Sequence, residues 1–180
     1  MMKTTRVIAM FLSVVLFLVG CGNKAPESDT SVLIREEKER FIDYYEENKD
    51  LLRQIAEELL EIHNTVPSQT GIQHYVGNEY LDFFYGEDWN RVALSDYKQA
   101  AQLINQLTED DTPIKLIYAT DRGYTFSGKT CEFHYSLIED NVYYYSLSLC
   151  YCEDPNAEAM LPEVSTKLDD HWYFVGHDLE

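Results

Sequence analysis

The sequence offers few constellations that could do chemistry, and each has a structural role that competes with the chemical one. Ser95-Asp96-Tyr97-Lys98 has the Ser-x-x-Lys spacing with which one helical turn sets a lysine amine beside a nucleophilic hydroxyl. The companion motifs of such a site, Ser-Asp-Asn and Lys-Thr-Gly, are missing, since Lys129-Thr130 runs into Cys131. An N-cap role accounts for Ser95 without catalysis. Cys150-Tyr151-Cys152 with His134 would put three soft ligands on one face of a sheet, because residues i and i+2 share a side. That spacing is not a zinc knuckle's and supplies no fourth ligand, so half-buried thiols are the simpler reading. His63, His74, His171 and His177 lack His-Glu-x-x-His spacing and read as surface or capping side chains. Glu109-Asp110-Asp111 and Asp169-Asp170 have neither the alternating oxygen ligands nor the glycine of a calcium loop, and read as solvated turns. No catalytic residue, metal ligand or cofactor is assigned.

The aromatic run of Tyr80, Phe83, Phe84, Tyr85 and Trp89 has more binding potential. Exposed, it would be a platform for a glycan or a partner protein; buried, it would close one end of a core. Burial is preferred, because aromatics contribute the most core area. The candidate binding surface is Tyr80, Phe84, Tyr85 and Trp89, joined by His134.

The elements that position these residues follow from periodicity. From Val32 to His63, Ile34, Phe41, Tyr45, Leu52, Ile55, Leu59 and Ile62 fall at separations of 7, 4, 7, 3, 4 and 3, a helical stripe. Asp29, Thr30 and Ser31 offer N-caps, and Asn64 and Pro67 close the far end. Lys38 and Asn48 interrupt a coiled-coil seam, whereas Ile42, Leu51 and Leu60 widen the stripe, so the helix is expected to lie on a sheet. Residues 65–94, punctuated by Gly71, Gly77 and Gly86, carry no clear period. Ser95 then opens a second helix whose face is Tyr97, Ala100, Ala101, Ile104 and Leu107, stopped by Asp110, Asp111 and Pro113.

Beyond Pro113 the period becomes that of strands: Ile114 to Thr120, then Cys131 to Leu137, Tyr143 to Cys152, and a final hairpin from Glu163 through Asp169-Asp170 to Val175. A three-residue loop, Glu139-Asp140-Asn141, matches apolar to apolar by setting Phe133 opposite Leu147 and Tyr135 opposite Tyr145. Cys131 then faces the core and Cys150 and Cys152 face away, which disfavours a Cys131 to Cys150 disulfide. The face with Glu132, His134, Ser146, Ser148, Cys150 and Cys152 is expected to be open and polar. Two helices followed by an antiparallel meander make an α+β fold.

The N-terminus adds an address. Lys3 and Arg6 precede an apolar stretch from Val7 to Val19, too short for a spanning helix and followed by a polar segment, which is the layout of an export signal. Its end, Leu18-Val19-Gly20-Cys21, resembles the lipobox of bacterial lipoproteins. That resemblance implies cleavage before Cys21 and a diacylglyceryl group on its sulfur, two acyl chains being enough for stable anchoring. Residues 1–20 are thus expected to be a signal peptide, 21–30 a flexible tether and 31–180 a single α+β domain. The domain also resembles small α+β lipoproteins of Gram-positive bacteria that pair a long acidic helix with a sheet ending in a strand like Trp172-Tyr173-Phe174. A nuclear transport factor 2-like cone, with a similar acidic turn and Trp strand, is the alternative fold.

Removing Lys3 and Arg6 from the 14 basic residues leaves 12 against 32 acidic ones, a formal charge of −20. Such a chain lacks the basic face that nucleic acid requires, and an anionic membrane surface would repel it, so the lipid on Cys21 must do the holding. Hydrophobic residues at 45% with 14 tyrosines indicate a folded chain. The expectation is a monomeric, lipid-anchored extracytoplasmic protein that binds an envelope protein or glycan. The alternative is an envelope hydrolase whose site is assembled only in space.

Overall fold

The structure is a computed structural model describing residues 29–66, 71–85, 88–109, 112–121, 123, 126–137, 144–160 and 165–179, without the side chains of 29–35, 109, 136–137, 144–146 and 177–179. The signal, the lipobox and the Glu139-Asp140-Asn141 loop lie outside the described residues. Two units divide the chain, Met1–Glu39 and Arg40–Glu180. Of the first, only the helical residues from Asp29 are described, and the contacts below belong to the second.

The elements are α1 (Asp29–Thr65), β1 (Gly71–Tyr75), β2 (Tyr80–Tyr85), β3 (Asp88–Ala93), a 3-10 turn (Leu94–Asp96), α2 (Lys98–Glu109), β4 (Leu116–Thr120), β5 (Thr130–Leu137), β6 (Tyr144–Cys152), β7 (Ser165–Lys167) and β8 (Trp172–Leu179). The strands form one antiparallel sheet in the order β3-β2-β1-β4-β5-β6-β8-β7. The fold is α+β. Helix α1 begins at Asp29 among the described residues, and the side chains of Asp29, Thr30 and Ser31 expected to cap it lie outside them.

Ile34 of the predicted stripe lies outside the described side chains; its other members, Phe41, Tyr45, Leu52, Ile55, Leu59 and Ile62, are all buried, with Ala56 and Leu60 widening the face. It packs on the sheet through ring contacts of Phe41 with Tyr135 and Phe174, at 5.9 and 6.5 Å, and of Tyr45 with Trp172 at 5.3 Å. Each such side chain contributes roughly 1.5–3 kcal/mol on burial, far more than helix propensity supplies. Helix α2 adds Ala100, Leu103, Ile104 and Leu107 to the same core. Its start departs from expectation, because residues 94–96 form a 3-10 turn whose N-cap is Ala93. Leu94 is buried and Tyr97 packs on Phe83 at 5.8 Å, so these contacts override the Ser95 cap. Ser95 and Lys98 end up exposed and are not joined by a helical turn.

The segment without a clear period is three strands, the β1 to β2 turn being made possible by Gly77 at φ 92°. Strand β5 pairs with β6 two places beyond the expected register, with Phe133 opposite Leu149 and Tyr135 opposite Leu147. A slip of two leaves every side chain on its own face, so facial pattern alone could not distinguish the two registers. Phe133 and Cys131 accordingly face the helices, and Cys150 and Cys152 face away; all three thiols are free.

The outer face is not uniformly open, which corrects the expectation for its β6 side. Cys150, Cys152, Tyr173 and Val175 form a second core with Phe126 and Ala157, and Ser148 and Glu132 are buried as well. The cover is fixed by a bridge between Phe126 and Ala159 and by bonds from Ser127 N–H to Glu158 O and Glu153 N–H to Lys129 O. The β3-β2-β1-β4 end of the outer face carries no such cover among the described residues.

Candidate binding face

Alternation along β2 decides where the aromatic run goes. Leu81 and Phe83 enter the core, whereas Tyr80, Asp82 and Phe84 turn to the outer face. Pairing aligns Phe84 with Trp89 and Asp82 with Arg91 on β3, and Phe84 with Gly71 and Asp82 with Gln73 on β1. Gln73 in turn faces Tyr118 on β4, and Tyr118 faces Glu132 on β5.

An aromatic row results. Phe84 contacts Trp89 at 5.1 Å and stacks on Tyr118 at 5.3 Å with planes 10° apart. Phe84 reaches Tyr118 across β1 because Gly71 lies between them: a Cβ there would sit 2.4 Å from Phe84 Cζ and 2.8 Å from the Ala119 carbonyl. Beside the row, Arg91 donates to Asp82 from Nε (2.7 Å) and Nη2 (3.0 Å), while its guanidinium lies 5.4 Å from the centre of the Tyr80 ring. Trp89, Tyr85 and Tyr80 are 59%, 58% and 45% exposed, so the expected burial of the run holds for Phe83 but not for these rings, and Tyr75 outside the run is 49% exposed.

The structure brings Phe84 and Trp89 together, with Tyr80 on the same face four residues along β2, roughly 13 Å away at the usual strand rise. His134 is on the same face three strands from Tyr80, roughly 14 Å away at the usual strand spacing. It is half-buried, with Nε2 3.2 Å from Glu132 Oε2. Tyr85 does not belong to the group; it shares the parity of Leu81 and Phe83 and projects from the other side at the strand's end. Sequence reasoning missed Tyr75, Asp82, Arg91 and Tyr118. The alternation of Tyr80, Asp82 and Phe84 against Leu81 and Phe83 was the available signal, obscured by the glycines around it.

Beneath Tyr80, His74 is 1% exposed and its Nδ1–H donates to the Tyr80 carbonyl at 2.8 Å. Burial pushes its pKa down, against smaller upward pulls from that bond and from Asp82. The folded chain therefore refuses a proton that the unfolded chain accepts near pH 6.5, and stability present above that pH is lost as the pH falls below it. The slope is at most about 1.4 kcal/mol per pH unit for one such group. Melting temperature recorded from pH 7.5 to 5 should drop less steeply in His74→Gln than in the wild type; parallel curves would show that His74 is not the responsible group.

A different cleft, of about 260 Å³, lies where α1 meets the β7 to β8 turn and contains Lys49, Asp50, Arg53, Asp170 and His171. It converges a histidine with carboxylates, as a hydrolase would, but its Asp169, His171 and Tyr151 are engaged in holding the fold. Burial pushes Asp169 up, yet bonds from Tyr45 Oη and from the N–H groups of His171 and Trp172 outweigh this and hold it below the ordinary range. His171 Nδ1–H donates to Cys152 O at 2.8 Å with its ring stacked on Tyr151. Tyr151 donates to Glu57 and is pushed up by burial, and the lining contains neither Ser nor Cys. Burial likewise pushes the Cys131 and Cys150 thiols well up, away from nucleophilic or metal-binding character. Among the described residues no three His, Cys, Asp or Glu side chains are placed to hold a metal ion.

No protein family, curated protein or solved structure is found to match the chain. Among the described residues no helix is long and apolar enough to cross a membrane.

Proposed function

We propose that the chain is a non-catalytic binding module of the cell envelope, tethered by lipid on the outer side of the cytoplasmic membrane, with its ligand on the open end of the outer sheet face. The observation that carries the binding reading is the joint exposure of Tyr75, Tyr80 and Trp89 on one side of the sheet. Aromatic side chains left contiguous in water mark interaction surfaces more often than chance, since burial is where they are stabilising. Tethering rests on Leu18-Val19-Gly20-Cys21 and the charged, apolar stretch before it.

The two parts are tested separately. Cys21→Ser should abolish incorporation of labelled fatty acid and leave an unprocessed or released chain; unchanged membrane retention without a mass shift would end the tethering reading. In the lipid-free Cys21→Ser background the released chain should co-sediment with isolated envelope fractions, and adding Tyr80→Ala with Trp89→Ala should abolish this while melting as the parent does. Equal sedimentation of parent and variant would remove the face from the proposal.

A further inference from the structure

We infer that the ligand of this face is an uncharged glycan chain, whose sugar rings stack on Trp89 and Tyr80 while their hydroxyls bond the Asp82 and Arg91 pair between them. This rests on the binding reading above and names its chemistry. A pyranose ring has an apolar C–H face and an equatorial belt of hydroxyls. It therefore matches a surface on which exposed rings flank planar groups that can both donate and accept. Trp89 and Arg91 alternate along β3, and Tyr80, Asp82 and Phe84 along β2, so rings and polar pair lie in adjacent rows. Gly71 also lets the Phe84 ring span β1 and stack on Tyr118 with no side chain between them.

Charge selects among partners. Among the described residues, the guanidinium in the patch, that of Arg91, is already neutralised by a bidentate carboxylate, at 2.7 and 3.0 Å. A polyanion would meet only that paired guanidinium among the described residues of the patch and would face a chain of net charge −18. A polycation would find a carboxylate that is largely buried and whose charge Arg91 already offsets. A neutral polyol needs neither. Bonding remains available to it with the pair intact, chiefly from the exposed Arg91 nitrogen that Asp82 does not use, the Asp82 carboxylate being largely buried beneath it.

The experiment uses the two tryptophans as built-in reporters, Trp89 being 59% exposed and Trp172 3%. The full chain is titrated with cellohexaose, with the hexamer of N-acetylglucosamine and with the polyanion dextran sulfate, following acrylamide quenching. At least one neutral hexamer should shield Trp89. Affinity should fall by about tenfold or more in Tyr80→Ala, and in Trp89→Ala followed by calorimetry, and be largely kept in Trp89→Tyr. No shielding by either neutral hexamer, an affinity indifferent to Tyr80→Ala, or a preference for dextran sulfate overturns the inference. Envelope co-sedimentation separates this failure from that of the binding reading. If sedimentation depends on Trp89 but survives enzymatic removal of the glycan, the ligand is a protein and only the glycan inference falls. If a dimer is present and lost in Trp89→Ala, the face joins two copies and both readings fall.

Discussion

Phe133→Ala should destabilise the fold by about 3–5 kcal/mol, read as a shift of the urea midpoint at unchanged slope. Phe133 is fully buried, stands between Ile117 on β4 and Leu149 on β6, and meets the Trp172 ring at 5.8 Å. It thus touches the middle of the sheet and its last aromatic strand at once, so little can collapse into the space it leaves. The neighbouring residue gives the control. On a wholly open face His134→Ala would change stability little, but Glu132 beside it is 7% exposed and 3.2 Å away. Removing His134 takes one partner from that buried carboxylate and should cost roughly 1–2 kcal/mol. A Phe133→Ala loss no larger than that of His134→Ala would contradict the face assignment.

Gly71→Ala should destabilise by about 1–3 kcal/mol, with the sign as informative as the size. At an unconstrained site the same change stabilises by about 0.4–1 kcal/mol through the unfolded chain. Here the new methyl meets Phe84 Cζ at 2.4 Å and the Ala119 carbonyl at 2.8 Å. The ring can swing away, but the carbonyl belongs to the β1 and β4 ladder and cannot move without loosening it. Phe84 displacement would also break the contacts with Trp89 and Tyr118, so exposed-tryptophan emission should change along with stability. Gly71→Ala in a Phe84→Ala background should remain destabilising, since the carbonyl contact persists. A neutral or stabilising Gly71→Ala would show that β1 and β2 do not approach as described.

Both predictions turn on the difference between facial pattern and exact pairing. The Cys131, Phe133, Tyr135 alternation identified the core face of β5, because a strand buried on one side must repeat every second residue. It did not identify the partner of Phe133, since registers two apart satisfy the same pattern and the choice belongs to the connecting loop and to packing. The α1 stripe was legible for a similar reason: its spacing repeats over many turns, and no other arrangement buries Phe41, Tyr45, Leu52 and Ile55 together. The Ser95 cap failed because local propensity of about 1 kcal/mol yields to burial of Leu94 and the packing of Tyr97 on Phe83.

By itself, the sequence determined the α+β class, the face of the long helix, the faces of β5 and β6, and the separation of Cys131 from Cys150 and Cys152. All are local periodicities, carried by residues close together in the chain. Only the tertiary structure decided that the outer face is sealed over Cys150 and Cys152 and open over Tyr80 and Trp89. The cover comes from Phe126 before β5 and Ala157 after β6, which lie outside the named strands and show no strand period, and an open sheet face and a covered one share the same alternation until such segments are placed. The pairing of Asp82 with Arg91 and the reach of Phe84 to Tyr118 over Gly71 were decided in the same way, by strand order. A side chain's facing direction is a property of its own strand, whereas what it faces is a property of the whole sheet.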